Sequence, residues 1–387
     1  MATDANARAE AIGAKLRRAR SLRRVTQEAA ASKLGIARTT LVAIEAGKRA
    51  VSSQELRQFA EMYDVPESEL VNDDVVPLEL EVEFRSSSTE SQAADEVLVA
   101  NMLNRLGSSA LQLEALLGQT APRVDLPVVV VSKSGSLDRQ AEDAALQLRS
   151  RIGIGLGPIQ NLSALMEFEM GLRVFERPLP SRISGAVAFD EKAGGFVLLN
   201  SLHPPYRRRV TGAHEVGHAL TRQSSLVVHF DGETRQGRNE RFCDLFGIAF
   251  LAPAAAVRRK AKELKELFGQ FSVRQLLMLA VFFNISIEAM TRRLESLEML
   301  PPGTYDSLRK QGVGLEHRRR VAEEMSVPDE NQPFTPRSLL LAGVAFEREL
   351  ISEQQIASML ELNLVDVRRA LQERDGHAGE VVLDLVE

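Results

Sequence analysis

A mainly α fold with one small α+β domain is the architecture this sequence predicts, and three observations carry it. The first 71 residues show helical periodicity interrupted by turn signals. Short strand-like runs cluster between Leu172 and Ser201 and almost nowhere else. After Pro253 nearly every segment has a helical apolar stripe. The expected layout is an N-terminal helix-turn-helix bundle, a small α+β domain and a helical C-terminal region.

The opening segment comes first. "AIGAKLRRARSLRRV" places Ile12, Leu16 and Ala19 on one helical face, with arginines on the other. "VTQEAAASKLG" reads as a short helix capped by Thr26 and stopped by Gly35. "ARTTLVAIEAG" is a second short helix, ending at Gly47. "SSQELRQFAEMYDV" is a third, with Ser52 or Ser53 as cap and Glu55 placed for a capping box. Two short helices joined at Gly35 make a helix-turn-helix.

Charge agrees. The 387 residues sum to −5, but residues 1–50 hold eleven Lys/Arg against four Asp/Glu, a balance of +7 that leaves −12 on the remainder. A basic module on an acidic body is the footprint of a nucleic-acid-binding segment joined to something else, although basic residues also solvate ordinary helix surfaces.

Residues 73–95, "VNDDVVPLELEVEFRSSSTESQAADE" and its surroundings, combine an alternating piece with an acidic, Ser-rich stretch and read as a linker. Residues 93–118 read as a helix whose apolar positions (Val97, Leu98, Met102, Leu106, Leu113, Leu116, Leu117) serve as core or as a dimer contact. Helices are expected over 138–152 and 161–171, then strands at "LRVFERPL", "SGAVAFD" and "GFVLLNS". A helix from Tyr206 to Gln223 and another over 239–251, stopped by Pro253, follow. Two later segments, "SVRQLLMLAVFFNISIEAMTRRLESLEML" and "SEQQIASMLELNLVDVRRAL", have a loose helix-turn-helix rhythm and are read as packing elements.

The chemistry sits in "TGAHEVGHAL". On a helix, His214 and His218 lie one turn apart on one face and can offer two imidazole nitrogens to one ion. Glu215 is rotated out of the ligand set but stays beside the water that a metal would activate, the arrangement of a general base. Two unrelated histidines at helical spacing are the alternative. A metzincin would have glycine at position 221 and histidine at 224; Thr221 and Ser224 exclude that class.

A catalytic zinc ion needs a third protein ligand and an open position. In "NERFCDLFGIAFLAP", Glu240 and Asp244 stand one turn apart, which resembles the thermolysin-like arrangement. That resemblance makes Glu240 the third ligand and Asp244 the hydrogen-bond partner of a ligand histidine. His229, in the polar stretch "VVHFDGETRQGR", is the alternative ligand and is otherwise an exposed loop residue. Cys243 is read as a small buried side chain. As the sole cysteine it excludes an internal disulfide and a multi-thiolate site.

Residues 138–253 resemble the ImmA/IrrE family of metallopeptidases, on "RVTGAHEVGHAL" and "ERFCDLFGIAFLAP". Glu240, Phe246 and Pro253 stand where the family's third-ligand helix has them; Cys243, Asp244 and Gly247 replace alanine, asparagine and alanine. The resemblance implies one Zn2+ ion held by His214, His218 and Glu240, with Glu215 as base, and limited cleavage of a partner protein such as a repressor. His203, Tyr206, Arg208 and His229 are candidate oxyanion donors.

Residues 12–71 resemble Xre-type (Cro/repressor-like) helix-turn-helix domains, on "TQEAAASKLGIARTTLVAIEAGKR" and "ELRQFAEMYDV". That resemblance implies double-stranded DNA as a partner. Arg38 and Thr39 are the expected base contacts, Thr40 and Lys48 the phosphate contacts, and Gln27 packs against phosphate and the recognition helix. Leu34, Leu41 and Ile44 are read as core. Such domains bind paired half-sites, so a homodimer on DNA is expected.

The domain layout expected is therefore 8–72 helix-turn-helix, 73–137 linker and helical connector, 138–260 zinc metallopeptidase, and 261–387 helical region. The function expected is a stress-responsive transcriptional regulator carrying a zinc-dependent metallo-endopeptidase. The alternative is a transcription factor that uses the metallopeptidase-like fold as a sensor or structural domain, without hydrolysis. With no charged-then-apolar leader, and with apolar runs no longer than "PVVVV" and "LLMLAVFF", a cytoplasmic location and no membrane partner are expected.

Overall fold

The computed structural model describes residues 2–23, 25–63, 70, 90–119, 126–190, 193–221, 226–230, 237–325 and 334–375. The chain divides into two compact units, one of residues 1–79 and 84–112, the other of residues 80–83 and 113–387. Most of the expected linker, up to residue 89, lies outside the described residues.

In the first unit, α1 (Ala2–Leu22), α2 (Gln27–Leu34), α3 (Arg38–Glu45) and α4 (Ser53–Tyr63) enclose a core of Leu16, Ala30, Leu41, Ile44, Phe59 and Tyr63. Leu34 packs against this core but is only partly buried. The turn signals act as the sequence suggests. Thr26 Oγ1 accepts from the Ala29 N–H at 3.2 Å, and Gly35 takes the left-handed conformation (φ 68°) that closes α2. Ser52 is the cap of α4, and Ser52 and Glu55 exchange both bonds of a capping box. Glu45, buried at the end of α3, accepts from Arg20 Nε at 2.6 Å and from Gln27 Nε2 at 2.8 Å, which fixes α1 and α2 against α3.

The next helix, α5 (Glu90–Leu116), begins three residues before the expected start and takes in the end of the stretch read as linker. Much of its apolar stripe is spent inside the chain: Leu106 and Leu113 are buried, as is Leu117 just past its end, while Leu98 and Leu116 are exposed.

The second unit is built on a four-stranded sheet of order β1-β3-β2-β4. After α6 (Leu137–Arg151) comes α7 (Leu162–Ala164), which runs on as a π-helical turn through Leu165–Glu169. Then β1 (Arg173–Arg177), β2 (Ile183–Asp190) and β3 (Gly194–Asn200) match the three expected strands. β3 pairs parallel with β1 and antiparallel with β2. α8 (Pro205–Thr221) carries the two histidines and packs on β2 and β3. β4 (Val227–Phe230) adds to the free edge of β2, and α9 (Arg238–Leu251) then packs along α8 and α6.

The remaining helices are α10 (Ala254–Phe268), α11 (Val273–Phe282), α12 (Ile287–Ser296), α13 (Thr304–Lys310), α14 (Leu315–Glu324), α15 (Pro336–Glu347), α16 (Glu353–Met359) and α17 (Leu364–Asp375). One apolar core runs from Leu137 to Val321 and includes α11 and α12; a second gathers Leu113, Leu117 and residues of α15 to α17. Both segments with helix-turn-helix rhythm thus contribute buried side chains. Among the described residues no single helix is long and apolar enough to cross a membrane. The one pair that reaches the length together, α11 and α12, bends by 103°.

Buried guanidinium groups tie this scaffold together by donating to backbone carbonyls, a use that suits five donors on a rigid fork. Arg149 of α6 donates from Nε to Gly155 O at 2.7 Å and from NH1 to Phe250 O at the end of α9. Burial lowers its pKa to about 10. Arg209 of α8 holds Ile159 O and Gln160 O, and Arg293 of α12 holds Ala252 O. The helices that carry the candidate site are therefore each pinned by a buried cation.

Candidate metal centre and nucleic-acid interface

Two glycines set the distance between α8 and α9. A methyl group on Gly217 would lie 3.1 Å from Cys243 Cβ, and one on Gly247 would lie 3.0 Å from the backbone nitrogen of His214. Both helices are bare of side chain where they cross, so their backbones approach closely. Cys243 is fully buried against Gly217, which is the packing role expected of it.

That approach brings Glu240 to the histidines. Glu240 Oε2 stands 3.6 Å from His214 Nε2 and 3.6 Å from His218 Nε2, and the two histidine nitrogens are 2.9 Å apart. Asp244 Oδ1 lies 2.9 Å from His214 Nδ1. The fold thus brings the expected residues together: His214, His218 and Glu240 as a converging set, and Asp244 behind His214.

One further donor completes the cluster. His229 Nε2 is 3.4 Å from His214 Nε2 and 3.6 Å from Glu240 Oε2. The four donor atoms lie within 4.8 Å of one another, so a buried His-His-His-Glu group could hold a metal ion. The reading of His229 as an exposed loop residue is corrected: it is 2% exposed and sits on β4. Period-two alternation puts Val228 and Phe230 on one face of β4 and His229 on the other. The regular pairing of Val187 with Val227 and Ala186 with Val228 continues to Gly185 and His229, and a bulge between Ile183 and Gly185 follows it. A Cβ on Gly185 would come within 2.9 Å of Thr211 Cγ2 on α8, so its absence lets the histidine helix lie close to the sheet at this point.

The donor chemistry fits a cation. Asp244 accepts the Nδ1 proton of His214, and Glu215 Oε1 accepts that of His229 at 2.8 Å. Each Nε2 then presents a lone pair, and these face each other and a carboxylate oxygen at 2.9–3.6 Å. Donors about 2.0–2.1 Å from one tetrahedral zinc ion sit roughly 3.3 Å apart, which these separations match.

Without the ion, burial opposes charge on His229, but Glu215 and Glu240 outweigh it and hold its pKa up at about 9. Burial pushes His218 down. For Glu215 and Glu240 burial works upward, yet the surrounding imidazoles prevail and both carboxyls lie below the usual range.

Of the candidate oxyanion donors, only His229 reaches this cluster. His203 Nε2 is engaged with Ser181 O at 3.2 Å. Arg208 donates to His203 O at 2.9 Å and pairs with Glu176 Oε2 at 2.9 Å. The Tyr206 ring lies under Arg318.

In the first unit, Arg38 and Thr39 are exposed at the start of α3, Thr40 is half-buried, and Lys48 is exposed just beyond α3. Gln27 is half-buried, with its amide bonded to Glu45. It therefore braces the recognition helix through that carboxylate.

Comparison with known families agrees with this division. A model described as an IrrE N-terminal-like domain (Peptidase_M78) matches residues 168–295, and one described as a helix-turn-helix domain matches residues 11–71. The chain is therefore a helix-turn-helix protein that also carries an IrrE-like, metallopeptidase-type domain. A search of curated proteins finds no match. Among solved structures, the chain aligns with ComR from Streptococcus suis over 95% of its length and 94% of that chain, at 9% identity and a TM-score of 0.16.

Proposed function

We propose that this protein is a cytoplasmic transcriptional regulator that binds double-stranded DNA through α2 and α3. In this reading its second unit is a zinc-dependent metallo-endopeptidase that hydrolyses a peptide bond in a partner regulator such as a repressor. The convergence of His214, His218 and Glu240 from two helices, with Asp244 behind His214, is the observation that carries the peptidase half. The basic N-terminal segment and the exposed Arg38, Thr39 and Lys48 support the DNA half.

His214, His218 and Glu240 would hold one Zn2+ ion, which supplies Lewis-acid polarisation of a scissile carbonyl and of the attacking water. Asp244 fixes the tautomer of His214, so that Nε2 remains the donor. Glu215 has one oxygen bonded to His229. Its other oxygen, Oε2, is buried without a hydrogen-bond partner among the described residues. That oxygen is the atom that would take a proton from water and return it to the leaving amine. Arg38 and Thr39 would read base edges, Thr40 and Lys48 would hold phosphates, and a homodimer would span paired half-sites.

A second reading, regulation through a metal-holding fold without hydrolysis, is favoured by one observation: Glu215 is 0% exposed and already engaged by His229. Comparing cells that carry the wild type with cells that carry Glu215→Gln, at zinc levels that load both, separates the two. Peptidase action predicts new protein N-termini, mapped by mass spectrometry, that are lost in Glu215→Gln together with the change in target transcription. Unchanged regulation and an unchanged N-terminal profile refute it.

A further inference from the structure

Four donor atoms cluster here, one more than the three protein ligands the peptidase reading uses. A catalytic zinc site has three protein ligands and a position for water, whereas a site with four protein ligands is the structural kind. His229 approaches His214 and Glu240 at ligand-like distances. Its Nε2 is 3.4 Å from His214 Nε2, and the 3.6 Å that separates it from Glu240 Oε2 equals the distance of His214 and of His218 from that oxygen. Its far nitrogen is held by Glu215, as the far nitrogen of His214 is held by Asp244. His229 thus has both marks of a ligand, a converging Nε2 and a carboxylate behind the ring.

We propose that His229 is a fourth protein ligand of the ion, and that β4 is a plug that keeps the site closed. In this conformation the imidazole stands where water would bind, and Glu215 serves as that imidazole's carboxylate partner. One side chain therefore takes up the open position and one oxygen of the general base. Hydrolysis requires β4 to carry His229 away, which frees the corner and Glu215 Oε1 together. The element is suited to such a step. β4 is four residues long, lies at the sheet edge, and among the described residues its ladder is with β2, interrupted by a bulge. His214, His218 and Glu240 stand on longer helices locked by buried arginines, and these would retain the ion while the strand moves.

This inference rests on the second unit binding a metal, and the test keeps the two apart. Full-length protein is loaded with zinc and its coordination read by X-ray absorption; cobalt-loaded protein is titrated with azide and followed by visible absorption. A closed site gives three imidazoles and one carboxylate on zinc, and a cobalt spectrum that azide leaves unchanged. His229→Ala then gives two imidazoles and a spectrum that azide shifts. Should that variant fail to fold, the imidazole count and the azide response of the unmodified protein decide alone. Two imidazoles with a solvent oxygen and an azide-sensitive spectrum in the wild type overturn the plug while the metallopeptidase reading stands. Protein that retains no metal at all overturns both.

Discussion

The two carboxylates behind the histidines predict how unequally the centre responds to losing them. Asp244→Asn keeps an oxygen for the His214 Nδ1 proton but removes the charge that strengthens that bond, and Glu215→Gln does the same to His229. Removing such an outer partner costs about 10- to 100-fold in metal affinity, or about 1.4–2.7 kcal/mol. Burial decides where each falls. The Asp244 side chain is 45% exposed, so water screens its charge, and the loss belongs near tenfold. Glu215 is fully buried, no solvent substitutes for it, and the loss belongs near a hundredfold. Zinc competition against a chromophoric chelator measures both. Equal losses, or a larger one for Asp244→Asn, would refute the assignment of Glu215 as the partner of a metal-bound His229. An unchanged affinity in Asp244→Asn would refute the orientation of His214 by Asp244.

Three other outcomes follow from the same geometry. Chelation should lower the melting temperature of the wild type, because an ion present at about 100 times its dissociation constant stabilises the folded state by about 2.7 kcal/mol; a melting curve indifferent to chelator argues against a bound metal. Glu167 is buried, which raises its pKa to about 7 from 4.5, so the stability it contributes is full below about pH 4.5 and is lost as pH rises through about 7. Glu167→Gln can accept from the Arg337 N–H and donate to Thr335 Oγ1; relative to wild type it should gain about 3 kcal/mol across that window in urea unfolding, and a pH-independent difference would refute this. On DNA, Arg38→Ala should cost about 1–3 kcal/mol and relax the preference at one base pair, whereas Lys48→Ala should weaken all sequences alike and reduce the salt slope by about 1; binding isotherms at several salt concentrations distinguish them.

Features that depend on a few neighbouring residues were legible in the sequence. The cap at Thr26, the left-handed Gly35, the box between Ser52 and Glu55, and the pairing of His214 with His218 on one helix face all follow from spacing alone. Glu240 and Asp244 entered through the thermolysin-like resemblance of their one-turn spacing, and the structure brings both to the histidines. Less was legible where function depends on partners distant in sequence. The contact of Gln27 with the recognition helix is of this kind: its amide donates to Glu45, eighteen residues on. The approach of α8 and α9 depends on Gly217 and Gly247, and in the sequence each of these glycines marks only a small residue.

His229 shows the limit most clearly. A four-residue strand amid polar residues gives too little alternation to be recognised, and its neighbour β2 lies some forty residues upstream. Even with the strand known, its facing would stay open. Side chains alternate along a strand, so a one-residue slip in the pairing of β4 with β2 would turn Val228 or Phe230 toward the helix and His229 away from it. His229 is aimed by the regular ladder that pairs it with Gly185, Val228 with Ala186 and Val227 with Val187; the shift, with Ser184 as the extra residue, lies beyond it toward Ile183 and Phe230. Deleting Ser184 should therefore spare that ladder and leave zinc with three imidazoles in the X-ray absorption spectrum. Loss of an imidazole in that deletion would mean that the bulge, and not the ladder, aims the ligand.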